Sequence, residues 1–299
     1  MQLANLRSAS GSPIVAAVQL DGAYLDIVGA LEAAGVRTGG TTPNAPSDLL
    51  AAAGDPTLAH RVATAISKLQ ATSGLDAILH PAHSALLAPI PNPVRILAIG
   101  RNYAEHAKEQ GATVFSEPIV FLKASTSVIG PDAAVRLPGW IGRVDYEAEL
   151  LVVLGRGGKN VNEADAMELV AGYTVFNDIT ARAQQRADIE QKHPWFRSKS
   201  LDTSGPMGPI LVTTDEISDP HALRISLRVN GALKQDDNTG SMVYRIPTLI
   251  AFLSKWFRLY PGDVIATGTP SGIGPIVPGD VIEATIERIG TLRNPVVAD

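Results

Sequence analysis

The sequence predicts an α+β protein built on a rolled sheet, not a doubly wound α/β fold. Three observations carry that expectation. Short apolar or alternating runs of strand length recur along the chain, with few helical stretches between them. A turn-and-strand unit repeats, Pro261-Gly262-Asp263-Val264-Ile265 returning as Pro278-Gly279-Asp280-Val281-Ile282. Two hairpin dipeptides, Asp21-Gly22 and Asn230-Gly231, close strand-like runs.

Taken in order, residues 13–28 read as a hairpin, with Pro13 to Val18 and Ala23 to Ile27 flanking Asp21-Gly22. Ala30 to Ala34 suits a short helix that Gly35 ends. Residues 36–48 form a Gly/Thr/Pro/Asn/Ser-rich loop, and Ser47-Asp48 can cap a helix over Leu49–Ala53. Leu58, Val62, Ala65, Ile66 and Leu69 fall at helical spacing within Pro56 to Gln70. A proline-rich passage with Pro81, Pro89, Pro91 and Pro93 then marks a domain boundary near residue 92, dividing the chain into 1–92 and 93–299. Beyond it, Ile96 to Gly100 and Pro118 to Lys123 read as strands, as does Leu150 to Leu154. Glu163 to Val170 is helical, Thr174 to Phe176 a strand, and Ile179 to Gln191 a second helix. Ile225 to Val229 alternates as a strand, and Thr248 to Phe257 is a core helix.

The chain has 299 residues, 45% of them hydrophobic and 18% charged, enough for a sizeable core. A net charge of −5 and no basic run argue against a nucleic-acid surface. The absence of cysteine excludes disulfides, thiolate metal sites and cysteine nucleophiles. Residues 1–7 carry no continuous apolar core of a signal peptide, and the most apolar stretch, Ser84 to Gly100, holds three prolines and Arg95. These features predict a soluble, cytoplasmic protein without membrane or nucleic-acid partners.

Candidate chemistry begins at Asp145-Tyr146-Glu147-Ala148-Glu149-Leu150. Side chains two apart on a strand share a face about 7 Å apart, so Glu147 and Glu149 could hold a hard divalent cation between them. Read alone, the alternation is more often the wet face of a half-buried strand. Gly100 to Glu109 follows a buried strand; helical from Tyr103, it brings His106 and Glu109 within reach as a general base and its orienting carboxylate, or as a casual surface pair. Asp178, between a strand and a helix, is either a helix cap or a third carboxylate ligand, with Arg182 and Gln185 on its face. Lys199, in Arg197-Ser198-Lys199-Ser200, could stabilise an enolate or be an ordinary surface lysine. The loop Thr267 to Gly274 offers N–H groups and hydroxyls to an anion without the lysine of a P-loop, or simply connects two strands. No nucleophile-elbow, zinc-helix or dinucleotide motif is present.

Together these segments resemble the fumarylacetoacetate hydrolase family from about residue 92 onward. The resemblance rests on Gly100-Arg101-Asn102-Tyr103 with His106 and Glu109, then Ser116-Glu117-Pro118 leading to Phe121-Leu122-Lys123. It continues in Tyr146-Glu147-Ala148-Glu149-Leu150, Asn177-Asp178 with Thr180-Ala181-Arg182 and Gln185, Lys199-Ser200 with Asp202-Thr203, and Thr267-Gly268-Thr269-Pro270. It implies a rolled mixed β-sandwich, a small N-terminal accessory domain and a homodimer. It implies Mg²⁺ or Mn²⁺ (Ca²⁺ in some members) on Glu147, Glu149 and Asp178, and a water-activating pair of His106 and Glu109 on a lid helix. Lys199 would assist near the metal beside Thr203, and Arg101, Lys123, Gln185 and Thr269 would line the substrate site. Two departures stand out: Glu105 is the only nearby candidate for the founding member's fourth carboxylate ligand, and Ile189 stands where that member has a tyrosine. The first bears on whether there is a fourth protein ligand; the second argues against fumarylacetoacetate as substrate, and the smaller acylpyruvate-type relatives are the better match. The expected activity is therefore metal-dependent hydrolysis of the C3–C4 bond of short 2,4-dioxo acids through a pyruvate enolate. The same site would also support oxaloacetate decarboxylation, enol–keto isomerisation, or hydration and dehydration of 2-keto-3-deoxy acids. A catalytically silent binding module is the alternative of another class.

Overall fold

The computed structural model describes residues 1–7, 13–18, 23–36, 48–81, 84–109 and 116–299. Strands β1 (Gln2–Arg7), β2 (Pro13–Val18) and β3 (Tyr24–Asp26) open the chain. Helices α1 (Ile27–Ala33), α2 (Leu49–Ala53) and α3 (Leu58–Ala71) follow, then the short strands β4 (Leu79–His80) and β5 (Leu86–Leu87). Next come β6 (Ile96–Gly100), α4 (Ala104–Glu109), β7 (Ile119–Lys123), β8 (Val128–Ile129), β9 (Val135–Leu137), β10 (Val144–Tyr146), β11 (Ala148–Leu154) and β12 (Val170–Asn177). The rest comprises α5 (Arg182–Glu190), α6 (Phe196–Lys199), β13 (Gly205–Thr213), β14 (Arg224–Val229), β15 (Ala232–Asn238), α7 (Ile246–Trp256), β16 (Val264–Ala266), β17 (Gly274–Ile276), β18 (Val281–Ile286) and β19 (Gly290–Ala298).

The fold is mixed α+β with several open sheets. Among the described residues the largest sheet has 12 strands, running β4-β3-β2-β1-β13-β12-β11-β16-β6-β7, with β5 on β1 and β8 on β13. A five-stranded sheet runs β15-β14-β18-β19-β9, and β10 pairs with β17. Most ladders are antiparallel, whereas β16–β6, β13–β8 and β19–β9 are parallel.

Strand β11 shows why the fold closes. Its run Leu150-Leu151-Val152-Val153-Leu154 is buried on both faces, which is why it reads as continuous rather than alternating. Leu150, Val152 and Leu154 enter a core shared with Ile225, Leu227, Ile282 and Leu292 of the five-stranded sheet. Leu151 and Val153 face the opposite way, toward Ile27, Leu31, Leu58 and Val62 of the N-terminal helices. The large sheet is thus the middle layer between a second sheet and a helical layer. It also runs across residue 92, since β1 pairs with β13 through Leu3↔Leu211.

The expected hairpin forms, with Ala16↔Asp26 and Ala17↔Leu25 in register; its Asp21-Gly22 turn and residues 37–47 of the loop lie outside the described residues, as does Ser47. Asp48 caps α2 through Ala51 N at 2.8 Å. Helix α1 starts earlier than its apolar spacing predicts because Asp26 accepts a hydrogen bond from Gly29 N at 3.0 Å, and Gly35 ends it at φ +59°. Asn230 and Gly231 both take positive φ, as a type I′ turn requires. Two helical expectations are corrected. Glu163–Leu169 winds as a 3₁₀ helix, and α5 begins at Arg182 rather than Ile179, because Thr180 is held in a bridge to Asp145.

Candidate metal and active site

The three acidic residues converge through strand register. β11 and β12 pair antiparallel with Ala148↔Asn177 and Glu149↔Phe176. One step further, Asp178 N donates to Glu147 O at 2.8 Å. Glu147, Glu149 and Asp178 therefore share the face of Leu151 and Phe176, at the end where the helical layer stops covering the sheet. Each offers a carboxylate oxygen, and these oxygens lie within 4.8 Å of one another, all buried. An all-oxygen donor set of this kind suits Mg²⁺, Mn²⁺ or Ca²⁺.

Two further features fit a cation. Asp178 Oδ1 is buried without a hydrogen-bond donor; Lys123 Nζ lies 2.9 Å away as an ion pair but outside hydrogen-bonding geometry. Among the described residues Glu149 receives only a backbone donor, Gly268 N at 2.8 Å. Burial and the neighbouring Asp178 and Glu147 charges push its carboxyl well up, the response of a carboxylate short of positive charge. Glu147 behaves oppositely. Burial raises its carboxyl, but Lys199, Arg182 and His106 outweigh that and hold it down at about 2.

Lys199 ends α6 and donates to Glu147 Oε2 at 2.7 Å and Asp178 Oδ2 at 2.6 Å. Burial works against its charge, yet Asp178 and Glu147 keep its ammonium more basic than usual. His106, on α4, is buried with Nδ1 3.4 Å from Glu109 Oε2. Burial lowers its basicity, while Glu147 and Glu109 oppose the loss. The carboxylate of Glu109 also accepts from Gly272 N at 3.1 Å, which ties α4 to the Thr267 to Gly274 loop.

The cleft over the carboxylates is compact, with about 20 Å³ of free space. Arg101, His106, Gln185, Lys199 and Thr269 line it with the three acids. Lys123 does not. Its ammonium is buried behind Asp178, against the carbonyls of Ile179 and Lys199 and the Ser204 hydroxyl, so it braces a candidate ligand from the back. Thr203 turns away, its hydroxyl accepting from Arg136 N at 2.8 Å. Glu105 is exposed on α4 and outside the carboxylate group. Ile189 is 45% exposed.

Other residues complete the cleft. Arg182 donates to Asp145 Oδ2 at 2.9 Å and to Glu147 and Gln185; its position on the Asp178 face was the available signal. Trp195 and Phe121 form one wall, edge to face at 5.4 Å between centroids. A Cβ at Gly100 would lie 2.8 Å from Trp195, so that wall needs glycine. Nothing in the local pattern marks Trp195 as part of the site.

The chain matches the family described as fumarylacetoacetate (FAA) hydrolase, C-terminal, over residues 95–297. It is 46% identical over 237 residues to a mitochondrial oxaloacetate tautomerase of Xenopus laevis, covering 76% of this chain and 74% of that one. Among solved structures it resembles 5-carboxymethyl-2-hydroxymuconate delta-isomerase from Mycobacterium smegmatis, with 34% identity, a TM-score of 0.75, and 100% and 99% of the two chains covered. It also resembles fumarylpyruvate hydrolase from Pseudomonas aeruginosa in complex with Mn²⁺ and pyruvate, with 33% identity, a TM-score of 0.66, and 72% and 92% covered.

Proposed function

The chain belongs to the fumarylacetoacetate hydrolase family of enzymes, and from that premise we propose that it interconverts the enol and keto forms of oxaloacetate with a divalent metal. The observation that carries this reading is a compact cleft in which three buried carboxylates stand beside a His/Glu pair and three cations, Lys199, Arg182 and Arg101. Tautomerisation needs little more than that: a base at C3 and a place for negative charge at the C2 oxygen. Relatives at 41–46% identity carry this activity in their names, and it was one of the alternatives expected from the sequence, where hydrolysis stood first.

Glu147, Glu149 and Asp178 would hold Mg²⁺ or Mn²⁺ (Ca²⁺ being the alternative), which would supply a Lewis acid for negative charge on the 2-oxo acid. His106, kept neutral by burial, accepts the C3 proton from the keto acid and returns it in the reverse direction. As the C3–H bond breaks, C2=C3 forms and the C2 oxygen takes the charge; it then takes a proton from water, to which the His106 imidazolium gives up its own. Glu109 orients the ring and steadies its protonated form. Lys199, Arg182 and Arg101 offset the charge of a diacid beside three carboxylates, while Gln185 and Thr269 supply polar contacts.

Hydrolysis of acylpyruvates is the second reading. The same pair could deprotonate a water that attacks C4, breaking C3–C4 and releasing pyruvate as its enolate, and hydrolases stand among the solved relatives. The proposal includes a homodimer and a division at residue 92, with the N-terminal part an accessory unit that adds β1 to β5 to the sheet and a helical layer over it. No helix among the described residues is long and apolar enough to cross a membrane.

The test is a panel with Mg²⁺ and with Mn²⁺: loss of oxaloacetate enol absorbance, CO₂ release, and acylpyruvate cleavage. Enol–keto exchange should be the most efficient. Dominant cleavage would replace it with hydrolysis, dominant CO₂ release with decarboxylation, and silence on every substrate would favour a binding module.

A further inference from the structure

We infer that Gln235, which does not line the cleft, sets the Thr269 hydroxyl as a hydrogen-bond donor to the bound acid. Beside Thr269 a β-ladder stops. Strand β16 pairs with β11 through Leu151↔Ala266, and Thr267 N still reaches Leu150 O at 3.2 Å. Gly268 then turns at φ +95° and spends its N–H on Glu149. On the same register Ala148 would face Thr269. Instead the side chain of Gln235, from the five-stranded sheet, stands between them.

The orientation of that amide follows from its partners. Ala148 N lies 3.0 Å from one end. A backbone N–H only donates, so that end is the carbonyl oxygen. Pro270 O lies 2.9 Å from the other. A backbone carbonyl only accepts, so that end is the NH₂. Groups of fixed polarity at both ends leave no flipped alternative.

The second amide hydrogen goes to Thr269 Oγ1 at 2.8 Å. That oxygen therefore accepts, and its own O–H must point elsewhere. Among the described residues no acceptor takes that proton. Thr269 is 2% exposed and lines the cleft, and Gln235 is 1% exposed behind it. A buried hydroxyl with an unspent proton, facing a site for an anionic acid, is a donor to a carboxylate or 2-oxo oxygen. Gln235 is thus a positioning residue: the second sheet fixes the polarity of a contact that it never makes itself. Its bond to Ala148 N also steadies the link between the two glutamates.

The inference rests on the 2-oxo acid reading, and binding of pyruvate to the Mn²⁺-loaded protein tests it without turnover. Thr269→Val should weaken pyruvate about 10- to 100-fold, the loss of a hydrogen bond to a charged group, and Thr269→Ser should restore it. Gln235→Glu replaces the NH₂ with an acceptor, so the Thr269 hydroxyl turns to donate to it. The same loss should follow near neutral pH. It should shrink on acidification relative to wild type, as the introduced carboxyl regains a proton to donate. In the double variant the losses should not multiply, and Mn²⁺ affinity should change less than about threefold in all of them. Unchanged pyruvate affinity in Thr269→Val overturns the donor assignment whatever becomes of position 235. Unchanged affinity in Gln235→Glu, or losses that multiply, overturns its control by Gln235. If wild type binds no pyruvate with Mn²⁺ present, the 2-oxo acid reading falls, and the inference with it.

Discussion

Asp178 joins the candidate metal site to the stability of the sheet, and Asp178→Asn should show both roles. Its Oδ2 receives Lys199 at 2.6 Å and its Oδ1 lies 2.9 Å from Lys123. Without the charge, Lys199 keeps Glu147 at 2.7 Å. Lys123 keeps only two carbonyls and a hydroxyl. At that separation an ion pair is worth about 6 kcal/mol at an effective dielectric of about 20, before desolvation is counted. Burial already pushes the Lys123 ammonium toward its neutral form against the pull of Asp178. Removing one partner of a buried pair costs about 3–5 kcal/mol. Asp178→Asn should therefore lower the unfolding free energy of the metal-free protein by about that amount, read by urea titration with circular dichroism in EDTA. Adding Lys123→Met removes the stranded charge and should bring stability back to within about 1–2 kcal/mol of wild type. Neither variant should hold Mn²⁺ tightly. A single variant within about 1 kcal/mol of wild type, or a double variant no more stable than the single, would refute the account of Lys123 as a brace behind Asp178.

Three more expectations follow from the site. Because burial lowers the basicity of His106, its neutral form persists below the ordinary histidine range of about 6.5; the acid limb of kcat/KM should lie under that value, move lower still in Glu109→Gln, and His106→Ala should lose about 10²- to 10⁴-fold in kcat. Gly268→Ala places a Cβ at φ +95°, 2.8 Å from Asn102 Cβ, so the N–H bond to Glu149 should fail and Mn²⁺ affinity fall about 10- to 100-fold by calorimetry. Trp195→Ala opens the wall between the cleft and the apolar groove of Ile119, Leu122, Pro194 and Phe196, and should shift the kcat/KM ratio of a long-tailed acylpyruvate over oxaloacetate upward by about tenfold or more.

Much of this was legible in the sequence where local pattern and global burial agree. The run Leu150 to Leu154 reads as a buried strand because both of its faces are covered. Glu147-Ala148-Glu149 reads as two groups on one face because strand parity is local, and Asp178 joins them because β12 ends beside the start of β11. The limits have physical causes too. Lys123 was expected in the substrate site, but sequence does not say which side of Asp178 a buried ammonium will occupy. Helix α5 starts late because Thr180 is claimed by Asp145, a partner from another element. Gln235 lies 87 positions from Ala148, and Trp195 meets Phe121 only through the packing of α6 on β7. Neither contact leaves a periodic or motif-level trace.

The central claim is that Glu147, Glu149 and Asp178 hold one divalent cation on which 2-oxo acid chemistry depends. Calorimetric titration of Mn²⁺ into the EDTA-treated, dialysed protein tests it most directly, with Glu147→Ala, Glu149→Ala and Asp178→Asn alongside. Wild type should bind one ion, and each variant should bind about 100-fold more weakly or not at all, since each loses a first ligand rather than a supporting contact. Undiminished affinity in the three variants, or no binding by wild type, would contradict it.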